Sequence, residues 1–194
     1  MNIQVTNDIL FKISDHLFSL ENCITKFSDA EKIFFLIWSL RLEVDNGGFH
    51  QFFFNHSGEF AHETIASLEK ASCFNAAKTL SKAISEFGLE KIPKEISARR
   101  RVLETVNTSN FRALDEEFYE SEEEIDAALT DFAQDHMVNT VLSITMPSAI
   151  KKADEAFRGN NYDAVVEILA PYESRLPSSK IAKLSLAKKR VSGE

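Results

Sequence analysis

Apolar residues recur every three or four positions along nearly the whole chain, and this period constrains the fold more than any other feature. Over residues 6–20, Ile9, Leu10, Ile13, Leu17 and Leu20 form one stripe behind Thr6 or Asn7, residue types that cap helices. Ser28 and Glu31 make an S-x-x-E capping box, with Phe27 placed for a hydrophobic staple. The run Ile33 to Trp38 is then apolar all round, the pattern of a helix enclosed on every side. Further helices are predicted over 60–71, 74–87, 95–106 and 121–138, with a short helix or turn over 111–118. The helix from Ser121 carries a second capping box, Ser121 with Glu124. No segment sustains period-two alternation between hairpin turns, and only 138–146 is ambiguous between helix and loop. The expectation is an all-α fold, a compact multi-helix bundle with a C-terminal helical extension. Six Gly and four Pro in 194 residues agree, being few for a chain of many tight turns.

The C-terminal part has its own pattern. Pro147 is placed to open a helix reaching Arg158, with a turn at Gly159-Asn160-Asn161 and helices over 162–174 and 178–191. The order Ala156, Phe157, Gly159, Tyr162, Val165, Ile168 resembles one tetratricopeptide-type helix pair. A single unit cannot form a solenoid. The chain is therefore expected to divide into a main helical domain, 1–146, and an extension, 147–194, docked on it.

Charge is unevenly placed. The chain is −8 overall, yet residues 113–150 alone hold ten Asp and Glu and no Lys or Arg. Nine of these acids, Asp115, Glu116, Glu117, Glu120, Glu122, Glu123, Glu124, Asp126 and Asp131, are the candidate partner-binding surface. Such a run is either a solvated face or a surface for a basic partner. A net acidic chain is not expected to bind nucleic acid directly, because that binding rests on neutralising phosphates with Lys and Arg. The exception to watch is a basic stripe in the tail, Lys180, Lys183, Lys188, Lys189 and Arg190. Cys23 and Cys73 belong to no C-x-x-C pair and read as free thiols. Neither a signal peptide nor a membrane span is visible, so a cytoplasmic protein without membrane contact is expected.

No catalytic residue, metal or cofactor is assigned. His56, His62 and Glu63 lack a zinc-ligand spacing, neither Cys has a His nearby in sequence, and Gly47-Gly48 lacks the Lys of a phosphate-binding loop. The most distinctive string is Glu43 to Asn55, E-V-D-N-G-G-F-H-Q-F-F-F-N. Its glycines let a long helix stop and a short one leave at an angle. Gln51 and Asn55, one helical turn apart, can bond each other or the freed backbone groups. The string is a structural corner or a polar pocket built on Glu43, Asn46, Gln51 and Asn55.

Here a resemblance enters. Glu43, Asn46, Gly47, Gly48, Phe49, Gln51, Phe52 and Asn55 fit E-x-x-N-G-G-F-x-Q-F-x-x-N, and Leu114, Asp115, Phe118 and Tyr119 fit a later L-D-x-x-F-Y. Over about residues 25–140 the chain thereby resembles the DNA-mimic protein family. The resemblance implies an all-helical homodimer whose carboxylates imitate DNA phosphates and so occupy a basic DNA-binding protein. Two other readings stay open: an enzyme or small-ligand binder at the polar corner, and a helical scaffold or immunity-type protein that neutralises a toxin.

Overall fold

A computed structural model describes residues 4–193, with the side chains of Glu21, Asn22, Cys23 and Thr108 outside the description. The expectation of a free thiol at Cys23 thus lies outside the described side chains, whereas Cys73 is free and buried. The fold is all-α, and no strand occurs among the described residues. Ten α-helices follow in order: α1 Asn7–Phe18, α2 Asp29–Phe54, α3 Ala61–Lys70, α4 Phe74–Ser85, α5 Ile96–Leu103, α6 Thr108–Tyr119, α7 Glu122–His136, α8 Val138–Arg158, α9 Tyr162–Leu169 and α10 Ser178–Ser192. Short 3-10 segments, Glu21–Lys26, His56–Phe60 and Ala170–Arg175, join some of them. No helix among the described residues is long and apolar enough to cross a membrane.

Helix α2 is the axis of the main bundle, as its all-round apolar run requires. It packs against α1, α3, α5, α6 and α7, and buries Phe34, Ile37, Leu40, Val44, Phe49 and Phe53 completely. Its start is the expected capping box: Glu31 N donates to Ser28 Oγ at 3.2 Å, and Ser28 N donates to Glu31 Oε2 at 3.0 Å. The other oxygen of Glu31 accepts from Thr140 Oγ1 at 2.9 Å, tying the cap to α8. Phe27 packs edge-on against Phe35, nearly two turns into the helix. Below the axis Phe53 meets Phe87 and Phe111 at centroid distances of 4.7 and 5.8 Å.

Two local expectations are corrected, at Ser121 and Pro147, and two open ones, 111–118 and 138–146, are settled as helix. Ser121 caps nothing with its side chain, because its backbone (φ −97°, ψ 1°) belongs to the tight turn leaving α6 and is not extended as a cap requires. Glu124 instead accepts from Asn75 Nδ2 of α4 at 2.8 Å. Residues 138–146 are helical, and Pro147 lies inside α8, nearly three turns from its start, not at a helix opening. A mid-helix proline costs about 3 kcal/mol, so burial on both sides, Val141 before it and Ala149 and Ala153 after, has to outweigh that loss. The segment 111–118 is a full helix, α6, that begins earlier, with Asn107 Oδ1 accepting from Ser109 N at its cap.

Two buried cores share helix α8. The larger runs from Val5 to Val141, and the smaller gathers Ala149, Ala153, Val165, Leu169, Tyr172 and Leu184. The turn into α9 takes its left-handed residue at Asn160 (φ 57°), not at Gly159, and Asn161 Oδ1 caps α9 by accepting from Ala164 N. The tail's lysines largely serve the tail. Lys180 meets Asp154 at 2.6 Å, Lys183 pairs with the same carboxylate, and Lys188 meets Glu173 at 2.8 Å.

Candidate functional site

The two motifs, 66 residues apart in sequence, meet in space. At Gly47 and Gly48 the helical angles of α2 break, and Gly48 takes φ 71°, ψ −175°, a conformation that excludes side chains. A Cβ on Gly48 would also fall inside contact distance of the Asp115 carboxylate. That carboxylate explains the break. After the kink the Phe49 N–H has lost its helical partner, and it donates to Asp115 Oδ1 at 2.7 Å. Beside it Tyr119 donates to the Val44 carbonyl at 3.0 Å, and Phe118 packs edge-on against Phe49 at 5.6 Å. The second motif is therefore the clasp on the first. Burial pushes the Asp115 carboxyl up, the Phe49 N–H opposes this, and neighbouring Glu116 adds to the rise.

On the other side of the kink, Glu43 gathers the remaining motif residues. Its Oε2 accepts from Gln51 Nε2 and Asn55 Nδ2, both at 2.8 Å, and its Oε1 accepts from Ser57 Oγ at 3.3 Å. Gln51 and Asn55 do not bond each other: both amides point to the shared carboxylate. Asn46 is exposed and takes no part in this cluster. Two open cavities adjoin it. One, of about 580 Å³, is walled by Phe35, Phe52 and Phe60 and reaches Glu43 and Asn55. The other, of about 540 Å³, is lined by Asn46, Gln51, Asp45 and Glu43.

The end of α2 is closed by a residue absent from the sequence expectations. Arg99, fully buried, donates through Nε to the Phe53 carbonyl and through Nη2 to the Asn55 carbonyl, both at 2.7 Å. Its Nη1 serves Pro93 and Lys94 carbonyls at 2.8 and 2.9 Å. A guanidinium suits this place because it offers five donors and meets the negative end of the helix dipole. Arg100 lies over the Phe54 ring at 3.8 Å and donates to the Phe54 carbonyl at 2.9 Å.

The nine acids of the candidate surface divide into two groups. Four are engaged inside the chain: Asp115 at the corner, Glu117 with Lys82 at 2.6 Å, Glu124 with Asn75, and Asp126 with Arg41. Lys82 and Thr79 hold the Glu117 carboxyl below its usual range. Of the others, Glu116, Glu120, Glu123 and Asp131 are exposed, Glu116 within 3.8 Å of Arg112 on the same helix, and Glu122 is half-buried. Arg41 also reaches Asp45 at 3.6 Å. Burial, reinforced by Glu122 and opposed by Arg41, raises the Asp45 carboxyl, a sign that negative charge is in local excess.

Cys73, the described thiol, is pushed up to about 12 by burial and by Glu124, the reverse of an activated nucleophile. Among the described residues no three His, Cys, Asp or Glu side chains come together as metal ligands would.

A kinked central helix, a second motif clasping the kink and an acid-rich helix pair beside it define an all-helical class of protein. The chain belongs to the DMP19-like protein family, whose pattern matches residues 25–136, spanning α2 to α7 and excluding the tail. Neither the curated proteins nor the solved structures contain a match to it.

Proposed function

We propose that this protein is a non-enzymatic, cytoplasmic interaction protein that offers the outer carboxylates of α6 and α7 to a basic DNA-binding protein, in the place of DNA phosphates. Membership of a DNA-mimic family supports this reading at the level of class. The observation that carries it for this chain is the set of exposed acids, Glu116, Glu120, Glu123 and Asp131, in a stretch without any Lys or Arg. Like charges at helical spacing repel by a few tenths of a kcal/mol per pair, and no internal salt bridge offsets Glu120, Glu123 or Asp131 among the described residues. A protein that binds DNA mainly through phosphates accepts other anions at suitable spacing. The motif then has a mechanical role: Asp115 and Tyr119 hold α6 against the kink, and α6 leads into α7.

The resemblance further implies a homodimer, which sedimentation of the purified protein would test. The binding role is tested by capture from the native host. Captured proteins should be DNA-binding, should be released by competing duplex DNA, and should be lost when Glu120, Glu123 and Asp131 are changed together to Lys. Retention of every captured protein by that variant overturns the proposal.

A further inference from the structure

The two cavities beside the corner share Phe18, Ser39, Glu43 and Ser57, so they are halves of one cleft with a common waist. Its inner half is apolar and aromatic, with Phe35, Phe52 and Phe60 on the walls, and its size is that of a small-molecule site. At the waist two polar groups lack what their surroundings normally supply. Ser39, 5% exposed, has a buried hydroxyl with no hydrogen-bond partner among the described residues. A buried hydroxyl without a partner is destabilising, and such groups in folded proteins are rare. Glu43 is the second: its three donors, two amides and a hydroxyl, are all neutral, so its charge is hydrogen-bonded but not balanced.

The charge of the whole cleft points one way. Glu43, Asp45 and Glu59 line it with His56, and among the described residues neither half is lined by a Lys or Arg. An anionic ligand would meet Glu43 and Glu59, neither paired with a base among the described residues, and Asp45, which Arg41 reaches at 3.6 Å, while a purely apolar one would leave Ser39 and Glu43 as they are. A cation on an aromatic body meets each requirement. Its ammonium can pair with the Glu43 carboxylate at the waist, beside the aromatic Phe18 and within reach of the Ser39 hydroxyl once that turns toward the cleft. Its ring can fill the space among Phe35, Phe52 and Phe60. We propose that this cleft is a binding site for a small primary amine carrying an aromatic group. The site includes none of the α6 and α7 acids and adjoins their side of the bundle at Asp45, which reaches Arg41 at 3.6 Å. Glu43 and Arg41, which faces Asp126 of α7, lie two residues apart on α2 and so about 200° apart round the helix.

Phenethylamine is the probe, followed by calorimetry and by amide shifts in ¹⁵N-labelled full-length protein. Phenethylamine should bind with a Kd of about 1 mM or below, a realistic strength for so few atoms. Shifts should centre on Ser39, Glu43 and Ser57. The anion of the same body, 3-phenylpropionate, should not bind, and neutral 2-phenylethanol should bind at least about tenfold more weakly, the scale of one lost charged hydrogen bond. Glu43→Gln should weaken the amine by a similar factor. Because Gln51, Asn55 and Ser57 all lean on Glu43, that variant needs its melting temperature checked. If it does not fold, Ser39→Val decides: it removes the hydroxyl and places a methyl at the waist, and should cut affinity several-fold in a folded protein. Absence of amine binding up to about 10 mM, a threshold weaker than −3 kcal/mol, overturns the proposal. So does equal binding of 3-phenylpropionate, shifts centred elsewhere, or unchanged affinity in folded Glu43→Gln and Ser39→Val.

Discussion

The acids at the kink of α2 and the acids on the outside of α6 and α7 are the same residue types put to opposite ends. Glu43 and Asp115 face inward: Asp115 accepts the Phe49 N–H at the kink, and Glu43 accepts the Gln51 and Asn55 side-chain amides. Glu120, Glu123 and Asp131 face water. An acid of the first kind fixes the shape of the chain, and its loss costs stability. An acid of the second kind is dispensable to the fold, so its presence in a row without basic neighbours asks for an explanation outside the chain. Asp115 marks the boundary: it sits in the acidic run by sequence and in the corner by structure.

The largest effect expected on the inward side is at Arg99. Replacing it by Met keeps most of the volume but leaves the Phe53 and Asn55 carbonyls, and two more from the loop, without donors. At about 1–3 kcal/mol per buried unpaired group, even partial hydration leaves a loss of about 3 kcal/mol or more. Denaturant melts of the purified variant would read it, and a loss under 1 kcal/mol would show that the end of α2 does not depend on this side chain. Gly48→Val comes next. It forces a β-branched residue to positive φ against the Asp115 carboxylate, for an expected loss of about 2 kcal/mol or more. Gly47 is the useful partner in this test. Its φ of −165° suits any residue, so the cost of Gly47→Ala arises from crowding Gln51, whose flexible side chain can move, and should be smaller.

Asp115 sharpens the comparison through pH. Burial raises its pKa, so the folded state holds the proton more tightly than the unfolded state does. Its contribution is therefore greatest below the ordinary Asp range and is lost as pH rises through the raised value. Asp115→Asn keeps an oxygen for the Phe49 N–H and removes the charge. Its stability relative to wild type should improve between about pH 4 and pH 7. Asp115→Ala, which also removes the acceptor, should be destabilised at both pH values. If Asp115→Asn instead lost ground as pH rose, the carboxylate charge would be stabilising the corner.

How much of this was readable beforehand follows from how far apart the partners lie. The helices and the glycine break were legible because each is written within a turn or two of sequence. The cap at Ser28 and Glu31 was legible for the same reason, while the identical pattern at Ser121 misled because a preceding tight turn fixed its backbone. Pro147 misled likewise: local rules place a proline at a helix start, but packing on both sides carried α8 through it. The two family strings marked the corner and Asp115, Phe118 and Tyr119, yet not that the second clasps the first, since Asp115 lies 66 residues from Phe49 and sits in a run of acids. The division of that run depended on Arg41, Lys82 and Asn75, which come from α2 and α4. Arg99 was the avoidable omission. It lies three residues after Ile96 and four before Leu103, on the apolar stripe of α5, and an arginine on such a stripe is either an error of pattern or a buried cap.

The outward acids should give the smallest change in the fold and the clearest change in binding. Glu123 stands in the first turn of α7, where a negative charge meets the positive end of the helix dipole, and its reversal to Lys forfeits a few tenths of a kcal/mol. Glu120 and Asp131 have no such benefit, and their reversal relieves repulsion of similar size. The two contributions oppose each other, so the triple variant should melt within about 1 kcal/mol of wild type, as surface substitutions do. Binding behaves differently, because a partner senses the summed field and three reversals move it by six charges. Capture of a basic partner by the wild type should weaken steeply as salt rises toward about 0.15 M, where the Debye length falls to about 8 Å. The triple variant should show neither the capture nor the salt dependence. Loss of capture together with loss of fold would assign these acids to the inward class and erase the distinction. An intact variant that captures the same proteins at every salt concentration would leave the outer acids as a solvated face with no role in recognition.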